Sequence, residues 1–463
     1  MRSTRTLRRV FVVVVLAALL STVAWVTGVR FTGGGDDQGR DAPALRGDTG
    51  GSVVLPLTGE GLDRRLDALR RHLRAQPRDA ANWAALGVAC VEQARRTADP
   101  GLYGQAQRAL ARSLALSPAP VNSGALAGQA ALAAARHDFR AALRLADRSL
   151  AVSPYGELGL VIRVDALVEL GRYDAAHRAA LRADARHPGI PAFSRLAYVA
   201  ELRGERATAR RVLEQALAPA SDPGDIAHVA TALGELSRAE GKSGPALRWY
   251  ATALRAEPGY LPALLGRGQV RAARGDLAGA ARDLEAVTAR QPLPAYLALL
   301  GEVYAARGDG RAAARQYAAL GAWTRLARAQ RVNTDLDTAL VAADHGDRAQ
   351  ALRAARAEWD RRHTVHTADA LAWALHRRGR DAAALPLARQ ATETLTKGGY
   401  RNASFLYHRA EIEHALGRDA DARTHGRAAL ALDTALTPEA RTALGRWVEG
   451  ERTRARAREG ERR

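Results

Sequence analysis

Histidine and acidic side chains stand at helical spacing in the C-terminal third of the chain. His363 and His366 are three residues apart, and His408 precedes Glu411 by three residues and His414 by six. Such spacing places side chains on one face of a helix, where imidazole nitrogens and carboxylate oxygens can bind zinc. Neither group supplies four ligands, and arginines surround both. We therefore interpret these histidines as solvated and predict no metal site.

A second candidate for chemistry is the stretch Asp344–Asp347, which contains one His and two Asp. It coincides with Gly346, where a helix is predicted to end, and short polar side chains are common in turns. We interpret it as a turn. The sequence also lacks a Gly-rich phosphate loop with Lys and the serine turn of hydrolases. We predict no catalytic residues, no cofactor and a protein that is not an enzyme.

Cys90 is the only cysteine, so the chain cannot form an internal disulfide. Its position within an apolar helical segment predicts a small buried side chain. The alternative is a free thiol that pairs between two chains.

The elements that carry these residues are marked by a Gly followed five positions later by an Ala. Nine such pairs occur, and a tenth copy has His137 in place of the Gly, ahead of Ala142. Successive Ala positions are 33 to 38 residues apart, a spacing typical of a repeat array. The nine pairs are Gly101/Ala106, Gly171/Ala176, Gly204/Ala209, Gly241/Ala246, Gly275/Ala280, Gly308/Ala313, Gly346/Ala351, Gly379/Ala384 and Gly417/Ala422.

The pair has a physical reason. Gly adopts the left-handed conformation that ends a helix without a Cβ penalty. The Ala then falls one turn into the next helix, where two helices joined by a short turn press together. Another small residue, predicted to be the partner in this crossing, stands twelve positions before the Ala in most copies. These residues are Ala130, Ala197, Gly234, Gly268, Gly301, Ala339, Ala372 and Ala410.

The unit resembles a tetratricopeptide repeat, whose 34 residues have Trp, Leu-Gly, Tyr, Ala, Phe, Ala and Pro at set offsets. The resemblance covers about residues 62–440 and suggests a membrane-anchored bacterial member of that family. It implies an all-α fold, a right-handed α-solenoid of about ten helix-turn-helix repeats after one transmembrane helix. The residues that carry it include Trp83, Leu86 and Gly87, then Leu233, Gly234, Ala246, Tyr250, Ala253 and Pro258, and also Leu300, Gly301, Tyr304, Ala313 and Tyr317.

The N-terminus predicts a membrane segment. Residues 10–29 are uncharged and mostly apolar, and 20 helical residues span about 30 Å, the thickness of the hydrocarbon core. Four arginines precede this stretch, which favours a cytoplasmic N-terminus and an extracytoplasmic array at the cell membrane. The alternative is a cleaved signal peptide and a secreted protein.

The remaining segments differ in composition. Residues 31–60 are rich in Gly and Asp without apolar periodicity, which is typical of a tether. We divide the chain into a basic N-terminus (1–9), a signal-anchor (10–29), a flexible linker (30–60), the repeat array (61–440) and a charged tail (441–463).

The net charge of +20 comes almost entirely from arginines spread over every repeat beside acidic residues. Nucleic-acid-binding proteins concentrate basic residues on one face and interleave stacking aromatic residues. We interpret these arginines as solvated and predict no nucleic-acid partner. Attraction to anionic lipid or cell-surface polymers is the alternative.

The resemblance implies a binding groove lined by the first helices of successive repeats, in which family members hold peptides or partner helices. The chain lacks the Lys, Arg and Asn clamp that some members use for a terminal carboxylate. The groove positions form a locally acidic row, so we hypothesise a ligand with basic segments; ordinary solvated carboxylates are the alternative. The candidate groove residues are Asp165, Glu169, Tyr198, Glu201, Glu235, Gln269 and Glu302.

From these observations we predict a non-enzymatic, membrane-tethered scaffold for protein–protein interactions, with the lipid bilayer contacted through the N-terminal helix. The alternative is an accessory or regulatory subunit of a membrane enzyme or transporter, recognised in part through the anchor helix.

Overall fold

The computed structural model describes residues 59–393, 401–432, 436–445 and 448. The predicted signal-anchor, nearly all of the linker and the end of the charged tail lie outside these residues. Among the described helices, none combines the length and the apolar character needed to cross a bilayer.

All regular structure in the described residues is helical, as the Ala- and Leu-rich repeats predict. Besides one 3₁₀ turn at Ala119–Val121, the described part of the chain has 22 α-helices. They are α1 Gly59–Ala75, α2 Ala80–Thr97, α3 Leu102–Leu116, α4 Ser123–Ala135, α5 Phe139–Val152, α6 Glu157–Glu169, α7 Tyr173–Arg186, α8 Ile190–Leu202, α9 Arg206–Leu217, α10 Pro223–Ala239, α11 Ser243–Ala256, α12 Leu261–Ala273, α13 Leu277–Arg290, α14 Pro294–Ala306, α15 Gly310–Ala329, α16 Asp335–His345, α17 Arg348–Arg361, α18 Val365–His376, α19 Asp381–Glu393, α20 Ala403–Ala415, α21 Asp419–Leu430 and α22 Pro438–Leu444.

The chain divides into two compact units, with the boundary after Val199 within α8. The described part of the N-terminal unit is 59–199, and that of the C-terminal unit begins at Ala200. From α2/α3 to α20/α21 the helices follow one another as ten pairs joined by short turns, with α1 before them and α22 after them. The predicted all-helical array of about ten helix-turn-helix repeats is confirmed.

The helix crossings are as tight as the repeat predicts. All ten Ala positions, from Ala106 to Ala422, are at most 4% exposed. At two glycines twelve positions earlier, the nearest side chain is larger than the predicted Ala. A Cβ added at Gly234 would lie 2.5 Å from Cε1 of Tyr250, and one at Gly301 would lie 2.6 Å from Cε1 of Tyr317. At these crossings glycine makes room for an aromatic ring four residues beyond the Ala.

The helix ends confirm the predicted left-handed conformation in most copies. Seven of the nine glycines have φ between 69° and 84°, and His137 has φ 60° in the tenth copy. The prediction is wrong for Gly101 and Gly346, whose φ values are −60° and −145°. In the first repeat Ala98 has φ 53° and ends the helix instead. The extra residues of that repeat move the helix end upstream, so that Gly101 directly precedes α3.

The uneven repeat spacing also has a structural cause. The 38-residue step from Ala313 to Ala351 contains most of α15, which at 20 residues is the longest described helix. The 37-residue step from Ala209 to Ala246 contains the 17-residue α10. Longer helices absorb the extra residues, so the register of the small residues at the crossings is kept.

The last described helix crosses residue 440, which the sequence assigns to the end of the array. Thr437 caps α22, its hydroxyl accepting from the backbone N–H of Ala440, and Pro438 occupies the first turn. Ala440 and Leu444 are buried in the same hydrophobic cluster as the last repeats. Apolar packing therefore continues past the predicted boundary.

Candidate protein-binding surface

The first helices of many neighbouring pairs pack on one another within each unit. In the N-terminal unit α2 packs against α4 and α4 against α6; in the C-terminal unit α10 packs against α12, α14 against α16, α16 against α18 and α18 against α20. The second helices pack mainly on the first helices before and after them. We call the face formed by the first helices the inner face.

Asp165 on α6 does not carry a free charge. Arg195 on α8 donates from Nε to Oδ1 at 3.1 Å and from Nη2 to Oδ2 at 2.8 Å. The Arg195 side chain is 2% exposed, so this bidentate pair is shielded from water on the arginine side. Burial raises the pKa of Asp165, and the Arg195 guanidinium opposes that shift.

The other two candidates of the N-terminal unit flank this pair in the sequence. Glu169 lies one turn after Asp165 on α6 and is buried. Tyr198 lies on α8, three residues after Arg195, and is half-buried. Tyr198 therefore offers an aromatic side chain that is partly open to solvent beside a satisfied ion pair.

Glu235 on α10 is the centre of a hydrogen-bonded cluster in the C-terminal unit. Tyr250 on α11 donates from Oη to Oε1 at 2.6 Å, and Arg238 donates from Nε and Nη2 to Oε2 at 2.9 and 2.7 Å. A Cβ added at Gly266 on α12 would lie 2.5 Å from both Glu235 Oε1 and Tyr250 Cζ. The absence of a side chain at Gly266 lets this cluster fit against the next pair.

The pKa of Glu201, at the end of α8, is affected by the same cluster. Burial raises the pKa of Glu201 to about 7; the nearby Arg206 lowers it and the Glu235 carboxylate raises it. Near neutral pH the Glu201 side chain is therefore only partly ionised.

The last two candidates differ from each other. Gln269 on α12 is half-buried, and its Oε1 is buried without a hydrogen-bond partner among the described residues. Glu302 on α14 is buried, with Oε1 3.5 Å from Nε2 of His345. Burial lowers the pKa of His345 to about 4, so this imidazole is neutral at pH 7.

The candidate residues of each unit are therefore less acidic in their surroundings than the sequence indicates. The structure brings Glu201 and Glu235 into one electrostatic neighbourhood and pairs Asp165 with Arg195. The sequence interpretation missed Arg195, Arg238 and Tyr250. Arg238 was detectable from its i, i+3 spacing to Glu235, whereas Arg195 is 30 residues from its partner and only a register across repeats could reveal it.

Two of the histidines interpreted as solvated, His366 and His408, are buried or half-buried instead. His408 is 0% exposed, its Nδ1 lies 3.0 Å from Oδ1 of Asp369, and its ring stacks on Trp373 with centroids 4.0 Å apart. His366 is half-buried against Phe405. His363 and His414 are exposed, as predicted.

The predicted turn at 344–347 is only half correct. Asp347 caps α17, accepting from the backbone N–H of Ala349 at 2.8 Å. Asp344 is instead buried and accepts from Nε1 of Trp373 at 2.9 Å, while His345 stacks on Tyr317 with centroids 4.4 Å apart. Cys90 is buried, as predicted. No group of three or more potential metal ligands occurs within the residues that the structure covers.

No protein-family model and no curated protein matches the chain. Solved structures similar to it include a thermophilic TPR protein of Thermus thermophilus, with 26% identity over 40% of this chain and 94% of that one and a TM-score of 0.35. The type IV pilus biogenesis factor PilW has 22% identity over 43% of this chain and 92% of its own, with a TM-score of 0.36. Yeast Tom70 has 14% identity over 86% and 93%, with a TM-score of 0.32. These TM-scores are below 0.5, so the function proposed below rests on the helix pairs and side chains of this chain.

Proposed function

We propose that the protein is a non-enzymatic scaffold that binds protein or peptide partners on its inner face. The observation that supports this proposal is that small residues and polar residues have different roles within each repeat. The buried Ala positions hold the helices together, while first helices pack on one another within each unit and carry polar side chains. A stack of this kind offers a long surface for an extended peptide or a helix.

A ligand with basic side chains is the finer part of the proposal. The candidate residues of the two units include five carboxylates, which supports it, but Asp165 and Glu235 already have arginine partners. A basic ligand would therefore compete with Arg195 and Arg238 for these carboxylates.

We also propose the location that the sequence predicts: an array tethered to the cell membrane by residues 10–29 and facing the extracytoplasmic side. The supporting observation is the uncharged 20-residue stretch preceded by four arginines.

Loss of the Tyr198 ring tests the inner face directly. We expect Tyr198→Ala, in the full chain, to lose proteins that co-purify with the unaltered chain from detergent-solubilised membranes. The ring is half-buried and lies on the row, so its removal takes away an aromatic contact of the type that dominates interface energies.

Leu181→Ala is the matched control, because Leu181 is 47% exposed on the second helix α7 of the same unit. Circular dichroism of both variants establishes that the helices persist. Equal co-purification with both variants would reject the inner face of this unit as the binding surface.

A further inference from the structure

The end of the chain lies against helices that precede it by several repeats. We call the described residues 431–432, 436–445 and 448 the strap. At its start, the backbone of Ala431 and Leu432 meets the turn between α10 and α11: a Cβ added at Gly241 would lie 2.6 Å from the Ala431 carbonyl oxygen and 3.2 Å from Leu432 Cα. That turn belongs to the fifth pair, whereas α21 ends the tenth.

The strap then contacts the inner face of the C-terminal unit. Its helix α22 packs against α14 as well as against α20 and α21. A helix that merely covers the end of a repeat array would contact the last pair alone. With α14, three pairs earlier, and α20, the helix α22 contacts first helices of two different pairs.

The strap contacts this face through one apolar side. Leu436, Ala440, Leu444 and Val448 follow one another at four-residue spacing, and all are at most 6% exposed. Ala440 and Leu444 lie within α22, where residues four apart are on the same side of the helix, and Leu436 and Val448 flank it. They belong to one hydrophobic cluster with side chains of α16, α18 and α20, among them Trp373.

On its polar side, the strap places the carboxylate of Glu439 near other acidic side chains. The carboxylate of Glu439 raises the pKa of Tyr317 and of Asp344, after burial as the main cause for each, and the Glu302 carboxylate acts in the same direction. The nearby cation is Arg377, whose own pKa burial lowers and Asp344 and Glu439 raise. The strap thus adds an acidic side chain where two are already present.

We propose that the strap is an internal ligand of the inner face formed by α14, α16, α18 and α20, and that the partner for this face is an amphipathic helix with apolar side chains at four-residue spacing. Such a partner competes with the strap. Displacement is feasible because α22 has only seven residues, and helices of this length do not persist in water without their packing surface. The contacts of the strap support its place on the inner face, whereas the existence of an external partner rests on the proposed scaffold function.

The first experiment uses a labelled synthetic peptide with the sequence of residues 431–448 as the probe. We expect it to bind the full chain carrying Leu436→Asp and Leu444→Asp at least tenfold more tightly than the unaltered chain, because a closed strap lowers the fraction of binding-competent molecules. A peptide with Leu444→Asp should not bind. Equal binding to both chains, or none to a released chain with unchanged helical content, would overturn the proposal.

The second experiment releases the strap locally and does not depend on the double variant. Gly241→Ala and Gly275→Ala introduce the same strain, since both glycines have positive φ (75° and 84°), but only Gly241 touches the strap; Gly275 has open space. We expect hydrogen exchange of the α22 amides to become at least tenfold faster in Gly241→Ala only. Equal acceleration in both variants, or none in Gly241→Ala, would contradict strap docking. Neither experiment involves a partner, so failure of the scaffold proposal leaves the strap result intact.

Discussion

At the residue scale, small residues leave space at the helix crossings, and this space has two roles. The Ala lets the two helices of a pair approach closely. In two copies the Gly that stands twelve positions before the Ala makes room for an aromatic ring. Gly234 and Tyr250 show the second use, which the sequence does not reveal, because the twelve-residue offset indicates only that something must fit there. Which ring occupies the space beside Gly234 depends on how the two helices cross in three dimensions.

Gly234→Ala tests this contact. The added Cβ would lie 2.5 Å from the Tyr250 ring, inside van der Waals contact, so the ring must shift away from its hydrogen bond to Glu235. Overpacking of this kind costs about 1–3 kcal/mol. We expect a lower urea midpoint, measured by circular dichroism.

Gly310→Ala is the control for helix propensity, because Gly310 also lies in a helix but has no heavy atom within 4 Å of the added Cβ. This variant should be unchanged or slightly more stable. An equal midpoint in the two variants would show that the Tyr250 contact does not limit stability.

At the element scale, a buried cluster of charged and polar side chains joins α17 to the segment that precedes α16, the first helix of the same pair. Glu358 on α17 is buried, and it accepts from Asn333 Nδ2 at 2.7 Å, from Arg361 Nη2 at 2.8 Å and from Arg362 Nε. Burial by itself raises the pKa of Glu358, but Arg362 and these hydrogen bonds lower it from 4.5 to about 2.

This pKa predicts a pH-dependent loss of stability. Because the folded pKa is below the unfolded one, the Glu358 contribution is complete above about pH 4.5 and is lost as the pH falls towards 2. A shift of this size corresponds to at most about 3 kcal/mol. We expect Glu358→Gln to lower the urea midpoint strongly at pH 7 and much less at pH 2.5.

Glu214→Gln on α9 provides the comparison, since Glu214 is exposed and its replacement should change the midpoint little at either pH. If Glu358→Gln lowered the midpoint equally at pH 7 and pH 2.5, the buried ion cluster would not be the source of the stability.

The helices themselves are the most predictable elements, and the reason is local. Gly with a positive φ ends a helix whatever surrounds it, so seven turns follow from single residues. Burial of His408 is not local: its partner Asp369 lies 39 residues away on the preceding first helix, and arginines nearby in sequence suggest a solvated face. The Arg195–Asp165 pair is hidden for the same reason.

At the scale of the whole molecule, the repeats account for all described helices except α1 and α22, and α22 is the element that the repeat pattern does not foresee. The start of the strap, at Ala431 and Leu432, lies against Gly241, a contact between residues 190 or more positions apart that no periodicity encodes. The inner face of the C-terminal unit therefore carries a segment of the chain itself.

The proposed location makes a prediction for the intact chain in cells. Val121 is 68% exposed, whereas Cys90 is 2% exposed. We expect Val121→Cys to react with a membrane-impermeant maleimide in intact cells, and the unaltered chain, with Cys90 alone, to remain unlabelled. Labelling of Val121→Cys only after the membrane is disrupted would place the array in the cytoplasm, and recovery of labelled protein in the medium would indicate secretion.

The most direct test of the scaffold is photocrosslinking from the inner face in intact cells. A photoreactive phenylalanine analogue at Tyr198 replaces one aromatic side chain with another and lies on the first helix α8; the same analogue at Leu181 lies on the second helix α7. We predict a crosslink to another polypeptide from position 198 and none from position 181. Crosslinks from position 181 alone, or none from position 198, would contradict binding through the inner face.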